Sequence, residues 1–158
     1  MPVALLTALL LAAPPPCPTP FEGPVAWERL EAYLRTQRFD DPSMLLRCLP
    51  ASYRKHFTLV YESRSPERDA VSMQHPRIVL FGEDAKLVLA LTGNPRAAHY
   101  DRVQVLAFDE AADRYRLFEL TFRPGEVARI EAEPASCVQC HGADPRPLWE
   151  TYNLWPGV

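Results

Sequence analysis

Basic residues are not in surplus. The 158-residue chain carries 17 Lys and Arg against 20 Asp and Glu, for a net charge of −3. Nucleic-acid binders show a basic excess or stripe, so that class is set aside. Cysteine is sparse too, at four residues, which rules out a disulfide-dense scaffold and leaves the spacing of the four to carry their meaning. Glycine-rich phosphate loops, heptads and internal repeats are all missing, so a phosphate-binding loop, a coiled coil and a solenoid fall away. No stretch reaches the roughly 20 apolar residues that a membrane-spanning helix needs; the longest, Val3–Ala13, has about 11.

What the chain does have is material for a core. At 47% hydrophobic and 23% charged residues it is not compositionally disordered, and its length suits one domain. Prolines number 17, about twice the ordinary share of about 5%. Val3–Ala13, followed by three prolines, reads as the apolar region of a secretory signal with Ala12 and Ala13 at the cleavage end, although Met1-Pro2 supplies no positive charge ahead of it. A lipid anchor on Cys17 is disfavoured by Pro16, which stands where a small residue is required. The expected organisation is a signal peptide over 1–13, a Pro-rich linker over 14–24 and a single domain over 25–158, exported to the periplasm or an equivalent compartment.

Helical signals open that domain. Trp27, Leu30 and Leu34 recur at helical spacing behind Pro24, placed as an N1 proline, and Asp41-Pro42 forms a cap-plus-N1 pair that starts a second helix ending at Pro50. From Phe57 the period becomes two. Phe57, Leu59 and Tyr61 alternate; Ile78–Phe81 and Leu87–Leu91 are apolar runs flanking a turn at Gly82–Ala85. Val103, Val105 and Phe108 precede a polar connection at Asp109–Asp113, and Phe118, Leu120 and Phe122 lead into the turn Arg123–Glu126 and a last strand, Val127–Ala132. The pattern predicts an α+β domain: two short N-terminal helices, then an antiparallel meander of five or six strands, PAS-like in one version, then a C-terminal cofactor segment. Irregular loops are expected over Ser63–Pro76 and Gly93–Asp101.

That C-terminal segment contains Cys137-Val138-Gln139-Cys140-His141, the C-x-x-C-H attachment pattern of c-type haem. Thiols three positions apart on one turn reach the two vinyl groups along one porphyrin edge, and the adjacent His141 binds iron as proximal ligand. A zinc ribbon needs a second matching pair, and Cys17 and Cys48 stand too far apart to be one. A redox C-x-x-C opens a helix after a strand in a thioredoxin-like βαβ pattern, which is missing. The remaining alternative is a Cys137–Cys140 disulfide. Haem c, one per chain, is the expected cofactor, and export agrees with attachment outside the cytoplasm. Trp149, Tyr152 and Trp155 follow the motif and offer flat apolar surface to a porphyrin, or else pack on the sheet. Arg146 offers a guanidinium fork to a haem propionate. Cys17 and Cys48 either bridge, pinning the linker to the second helix in an oxidising compartment, or stand as a flexible and a buried thiol.

The block running through Pro134, Ser136, Cys137, Cys140, His141, Gly142, Pro145, Arg146, Pro147, Trp149, Tyr152, Trp155, Pro156 and Gly157 resembles a group of uncharacterised proteobacterial cytochrome c family proteins. His75–Gly82 is similar to the strand region of the same group, and the resemblance spans about the last hundred residues. It implies haem c binding and no particular reaction. Members of the group continue past the Trp-Pro-Gly element, which leads to the expectation that the chain is a fragment of a longer protein.

Only 17 residues follow His141, and none is Met or His, so the all-helical cytochrome c arrangement with a downstream axial Met is excluded. A protein sixth ligand has to come from Met44, His56, Met73, His75 or His99, with His75 placed first and Met73 and His99 next; a five-coordinate iron is the other outcome. The leading reading is an exported single-electron carrier without catalytic residues of its own. A haem-based sensor with an open distal face ranks second. A peroxidase-like or P460-like enzyme ranks third, because no distal acid–base pair is evident. Haem-maturation machinery is an implied partner; the redox partner is not legible in the sequence.

Overall fold

A computed structural model of the chain describes residues 17–62 and 71–147. The signal-like segment 1–13 lies outside the described residues, as do 14–16 of the linker, 63–70 of the first long loop and 148–158. Three helices come first, α1 (Trp27–Thr36), α2 (Pro42–Cys48) and α3 (Ala51–Arg54). Six strands follow: β1 (Phe57–Val60), β2 (Arg77–Leu80), β3 (Leu87–Thr92), β4 (Arg102–Asp109), β5 (Arg114–Thr121) and β6 (Arg129–Ala132). A last helix, α4 (Ala135–His141), carries the C-x-x-C-H motif. The sheet runs β1 to β6 in chain order and every neighbouring pair is antiparallel. The domain is therefore α+β around an open six-stranded meander, as the alternating pattern predicts.

Local chemistry explains the turns. At the β2–β3 hairpin Gly82 holds φ at +62°, and a Cβ there would stand 2.9 Å from the Tyr53 ring, so no other residue fits the bend. The ring belongs there because the Tyr53 hydroxyl donates to the Leu87 carbonyl at 2.8 Å, and burial pushes its phenol well above the ordinary range, with Asp84 adding to the effect. At the β4–β5 turn, Asp109 Oδ1 accepts from the backbone of Ala111 and Ala112, each at 3.1 Å, while Asp113 takes up the left-handed conformation.

The helices cover one face of the sheet. Leu87, Leu89 and Leu91 of β3, Val103, Val105 and Ala107 of β4, and Phe118 and Leu120 of β5 all point into the core that Trp27, Leu30 and Leu34 of α1 complete. Trp27 stacks on Phe118 with ring centroids 3.9 Å apart, and Phe39 meets Phe122 edge-on at 6.2 Å. The loop after α1 reaches across to the β5–β6 turn, where Gly125 N–H donates to Asp40 Oδ1 at 3.0 Å and Arg38 donates to the Gly125 carbonyl at 3.1 Å. Cys17 and Cys48 form a disulfide, and beside it Phe21 N–H donates to the Cys48 carbonyl at 2.9 Å.

Two local expectations are corrected. Pro24 is not the first helical residue: α1 starts at Trp27 with Ala26 as its cap. Phe21 is buried and its N–H is bonded to the Cys48 carbonyl, so the chain is still held at the end of α2 at that point. Pro50 ends α2 but also opens α3, accepting from Arg54 N–H at 3.1 Å; one helical turn is too short to show a period in the sequence. Among the described residues no helix is long and apolar enough to cross a membrane.

Candidate cofactor site on the second face of the sheet

The opposite face of the sheet is not uniformly polar. Val88, Leu106 and Leu117 stand side by side across β3, β4 and β5, and with Val79 they form a second apolar cluster that also contains Cys137. Val138 and Tyr115 pack at its margin. α4 is therefore seated on the face away from α1–α3, and it gives this face the cover that burial of large apolar side chains requires.

The approach to α4 is fixed by Glu133. Its N–H donates to the Leu117 carbonyl at 2.8 Å, and its carboxylate accepts from Leu117 N–H at 3.4 Å, a clamp that holds Glu133 at φ +48°. Pro134 then caps the helix, and its carbonyl accepts from Cys137 and Val138 at 2.9 and 3.0 Å. Helical geometry puts Cys137 and Cys140 on neighbouring positions of one face, with His141 one turn after Cys137. Cys137 is buried in the apolar cluster and Cys140 is exposed; both are thiols, so the expected alternative of a disulfide between them is not formed.

Gly142 ends the helix at φ +75° with its N–H on the Val138 carbonyl at 2.8 Å. The left-handed step turns the chain back, Pro145 is buried, and the Arg146 carbonyl arrives 2.9 Å from His141 Nδ1. A carbonyl can only accept, so Nδ1 donates, and it is Nε2 that would keep a lone pair in the neutral imidazole. A carbonyl on one ring nitrogen holds an imidazole in orientation and leaves the other nitrogen to face a metal. The donor types fit those a haem of the c type takes: two thiols three positions apart on one helix, and a histidine with one ring nitrogen on a carbonyl and the other left over. Among the described residues no three His, Cys, Asp or Glu side chains converge to hold a metal ion.

Arg146 thus enters through its backbone, a role the sequence does not signal. Its guanidinium is exposed and reaches Asp144 at 3.3 Å. Trp149, Tyr152 and Trp155 lie outside the described residues. The five upstream ligand candidates are spread out. Met44 packs against the helix-side core, across the sheet from α4. His56 lies at the corner of the second face, its ring 6.4 Å from that of Phe81. Met73 is 71% exposed. His75 sits half-buried in a tight turn with reciprocal backbone bonds to Ser72 at 3.0 and 3.1 Å, and His99 lines a small pocket at the far end of the second face.

Sequence reading misses Val79, Val88, Leu106, Leu117 and Glu133 as site residues. The signal for the apolar four is the failure of alternation: Val105-Leu106-Ala107 and Leu117-Phe118 are continuous apolar stretches, which mark strands covered on both sides. No protein family, curated protein or solved structure matches the chain.

Proposed function

We propose that this protein is an exported monohaem c-type cytochrome that carries single electrons, with Cys137 and Cys140 as covalent tethers and His141 as the proximal iron ligand. The observation that carries the reading is the 2.9 Å contact between His141 Nδ1 and the Arg146 carbonyl, which fixes the tautomer that a metal needs on the residue that C-x-x-C-H assigns to iron. Haem c, when bound, supplies reversible one-electron exchange at its iron. The chain's own contributions are distinct. Cys137 and Cys140 hold the group against loss, and Arg146 holds the imidazole in orientation and keeps its proton on Nδ1. Arg146's exposed guanidinium is within the same loop and is the proposed partner of a propionate. Trp149, Tyr152 and Trp155 are the proposed aromatic cover, and His75 or Met73 the proposed sixth ligand.

Export is supported by the Cys17–Cys48 disulfide, a bond that persists in oxidising compartments. The helix-covered face is filled, with Phe39, Leu45, Leu89 and Leu120 completely excluded from solvent, which speaks against a PAS-like cofactor pocket between those helices and the sheet.

The test is expression of the full chain together with haem-maturation machinery. The expected product keeps one haem through denaturing electrophoresis, and loses it in the Cys137→Ala/Cys140→Ala variant. A low-spin spectrum indifferent to CO is expected of the carrier. No covalent haem sinks the proposal; a high-spin ferrous form that binds CO readily replaces the carrier with the sensor or enzyme.

A further inference from the structure

The sheet is open, and its two edges are built differently. β6 carries Arg129 and Glu131, and just ahead of it Val127 bridges to Arg38, which also donates to the Gly125 carbonyl. Charges and a crossing segment keep an edge from pairing with another chain. Among the described residues β1 has neither. It lies at the other end of the strand order, and Phe57-Thr58-Leu59-Val60-Tyr61 contains no charge, proline or glycine, a composition that favours strand pairing. Phe81 N–H donates to the His56 carbonyl at 3.0 Å. With Thr58 opposite Val79 and Val60 opposite Arg77, that bond turns the N–H and C=O of Phe57 and Leu59 away from β2. The same two residues, with Tyr61, expose apolar side chains: 51% of Phe57, 37% of Leu59 and 41% of Tyr61 are open to solvent. Phe57 and Leu59 stand opposite Leu80 and Ile78, so the stripe continues the core-facing side of the sheet out to its edge.

We propose that β1 pairs antiparallel with β1 of a second copy of this chain, joining two sheets edge to edge about a two-fold axis. The edge is complementary to itself. In the register centred on Leu59, that residue exchanges both outward backbone bonds with the partner's Leu59, and Phe57 stands against the partner's Tyr61. Charge selects the same occupant. Exposed Arg54 and Lys55 precede β1 and exposed Glu62 follows it, so antiparallel self-pairing lays the basic start of each strand beside the acidic end of the other. This asks nothing of Glu62 but its charge. Area sets the strength. At about 150–250 Å² for a large aromatic side chain, the exposed parts of Phe57, Leu59 and Tyr61 amount to about 250 Å² per copy. With the strand backbones added, the contact stays below the roughly 1,200 Å² at which stable interfaces begin. The dimer is therefore reversible. It is also closed, because pairing consumes both β1 edges and leaves the charged β6 edges outermost.

The experiment uses the full chain, first checked by non-reducing denaturing electrophoresis so that the exposed Cys140 thiol does not supply the link. Sedimentation equilibrium over about 1–500 µM should give a monomer–dimer equilibrium with a Kd on the order of 10–100 µM. Leu59→Pro removes an outward N–H and leaves the ladder to β2 intact, and Leu59→Lys places a charge in the seam; each should raise the Kd about tenfold or more. Val127→Lys, at a side chain 47% exposed beside the opposite edge, should leave it unchanged. Hydrogen exchange on the parent chain decides the matter even where a variant fails to fold. The Phe57 and Leu59 amides should exchange freely in dilute solution and become protected as the dimer forms. A monomer throughout the range, growth beyond the dimer, a dimer that survives in folded Leu59 variants, or one that Val127→Lys dissociates overturns the proposal. So does amide protection independent of concentration, which would show the edge covered by this chain itself. A monomer with unprotected amides hands the edge to a strand of another protein. Haem loading does not enter the measurement, so this proposal and the cytochrome reading fail separately.

Discussion

Opening the Cys17–Cys48 disulfide tests both the architecture of the N-terminal half and the compartment. The cysteines are 31 positions apart, and chain-entropy loss on cross-linking a loop of that size amounts to about 3.7 kcal/mol at 25 °C. Most of this is expected to be lost through the unfolded state. In the folded chain the flanking contacts remain, with Phe21 bonded to the Cys48 carbonyl and buried in the core. For a domain of this length each kcal/mol moves Tm by about 3–4 °C, so the reduced protein should melt roughly 10–15 °C lower. The assay is urea unfolding of the Cys137→Ala/Cys140→Ala background, which removes competing thiols, with and without a phosphine reductant, beside a Cys17→Ala/Cys48→Ala variant. The reduced protein and the variant should agree. A loss under about 1 kcal/mol refutes the reasoning, because it would mean that the reduced unfolded chain is already as restricted as the bridged one. The same bond should be found oxidised by mass spectrometry in protein recovered from an exported fraction.

Two further outcomes follow from the packing and the caps. Leu106→Ala empties the centre of the second-face cluster, where Leu106 is 6% exposed; the expected cost is about 2–3 kcal/mol in urea unfolding, with reduced haem incorporation because α4 loses its seat. A cost near zero would show that α4 is not docked there. Asp41 caps α2, with Oδ1 accepting from Met44 N–H at 2.9 Å and from Ser43 Oγ at 2.6 Å; partial burial raises its carboxyl, but those bonds, a backbone bond from Ser43 and the charge of Arg47 prevail and hold it below the ordinary range. A group depressed in this way stabilises the fold above its unfolded pKa, and the contribution is lost as pH falls through the folded one. Asp41→Ala should cost about 0.5–2 kcal/mol at neutral pH, and the gap from the parent should shrink below about pH 4; a pH-independent gap would contradict the assignment.

Some parts of this domain are legible because their cause is local. Asp41-Pro42 specifies its own helix start through a side chain two or three residues from the amides it caps. Gly82–Ala85 and Arg123–Glu126 turn the chain where they are read to turn it, and short turns between strands leave antiparallel neighbours as the outcome. Other parts are illegible for the opposite reason. Assigning Cys137 and Cys140 to C-x-x-C-H leaves Cys17 and Cys48 as the candidate pair, but whether they bridge or stand as thiols depends on the Phe21 segment reaching the end of α2. Arg146 advertises a guanidinium, but its contact with His141 is made by a carbonyl that every residue has, and only the return of the chain after Gly142 brings it there.

The sequence by itself determined the spacing of Cys137, Cys140 and His141, the change from helical to two-residue period at Phe57, and the meander. Each depends on residues close together along the chain. Tertiary structure decided which sheet face α4 covers, which nitrogen of His141 faces a carbonyl, and that Arg77, His99 and Arg102 line one pocket. Alternation along a strand separates two sets of side chains; it does not say what will be laid over either set. That assignment is made by contacts between segments far apart in the chain, where packing and backbone hydrogen bonding have to be satisfied together.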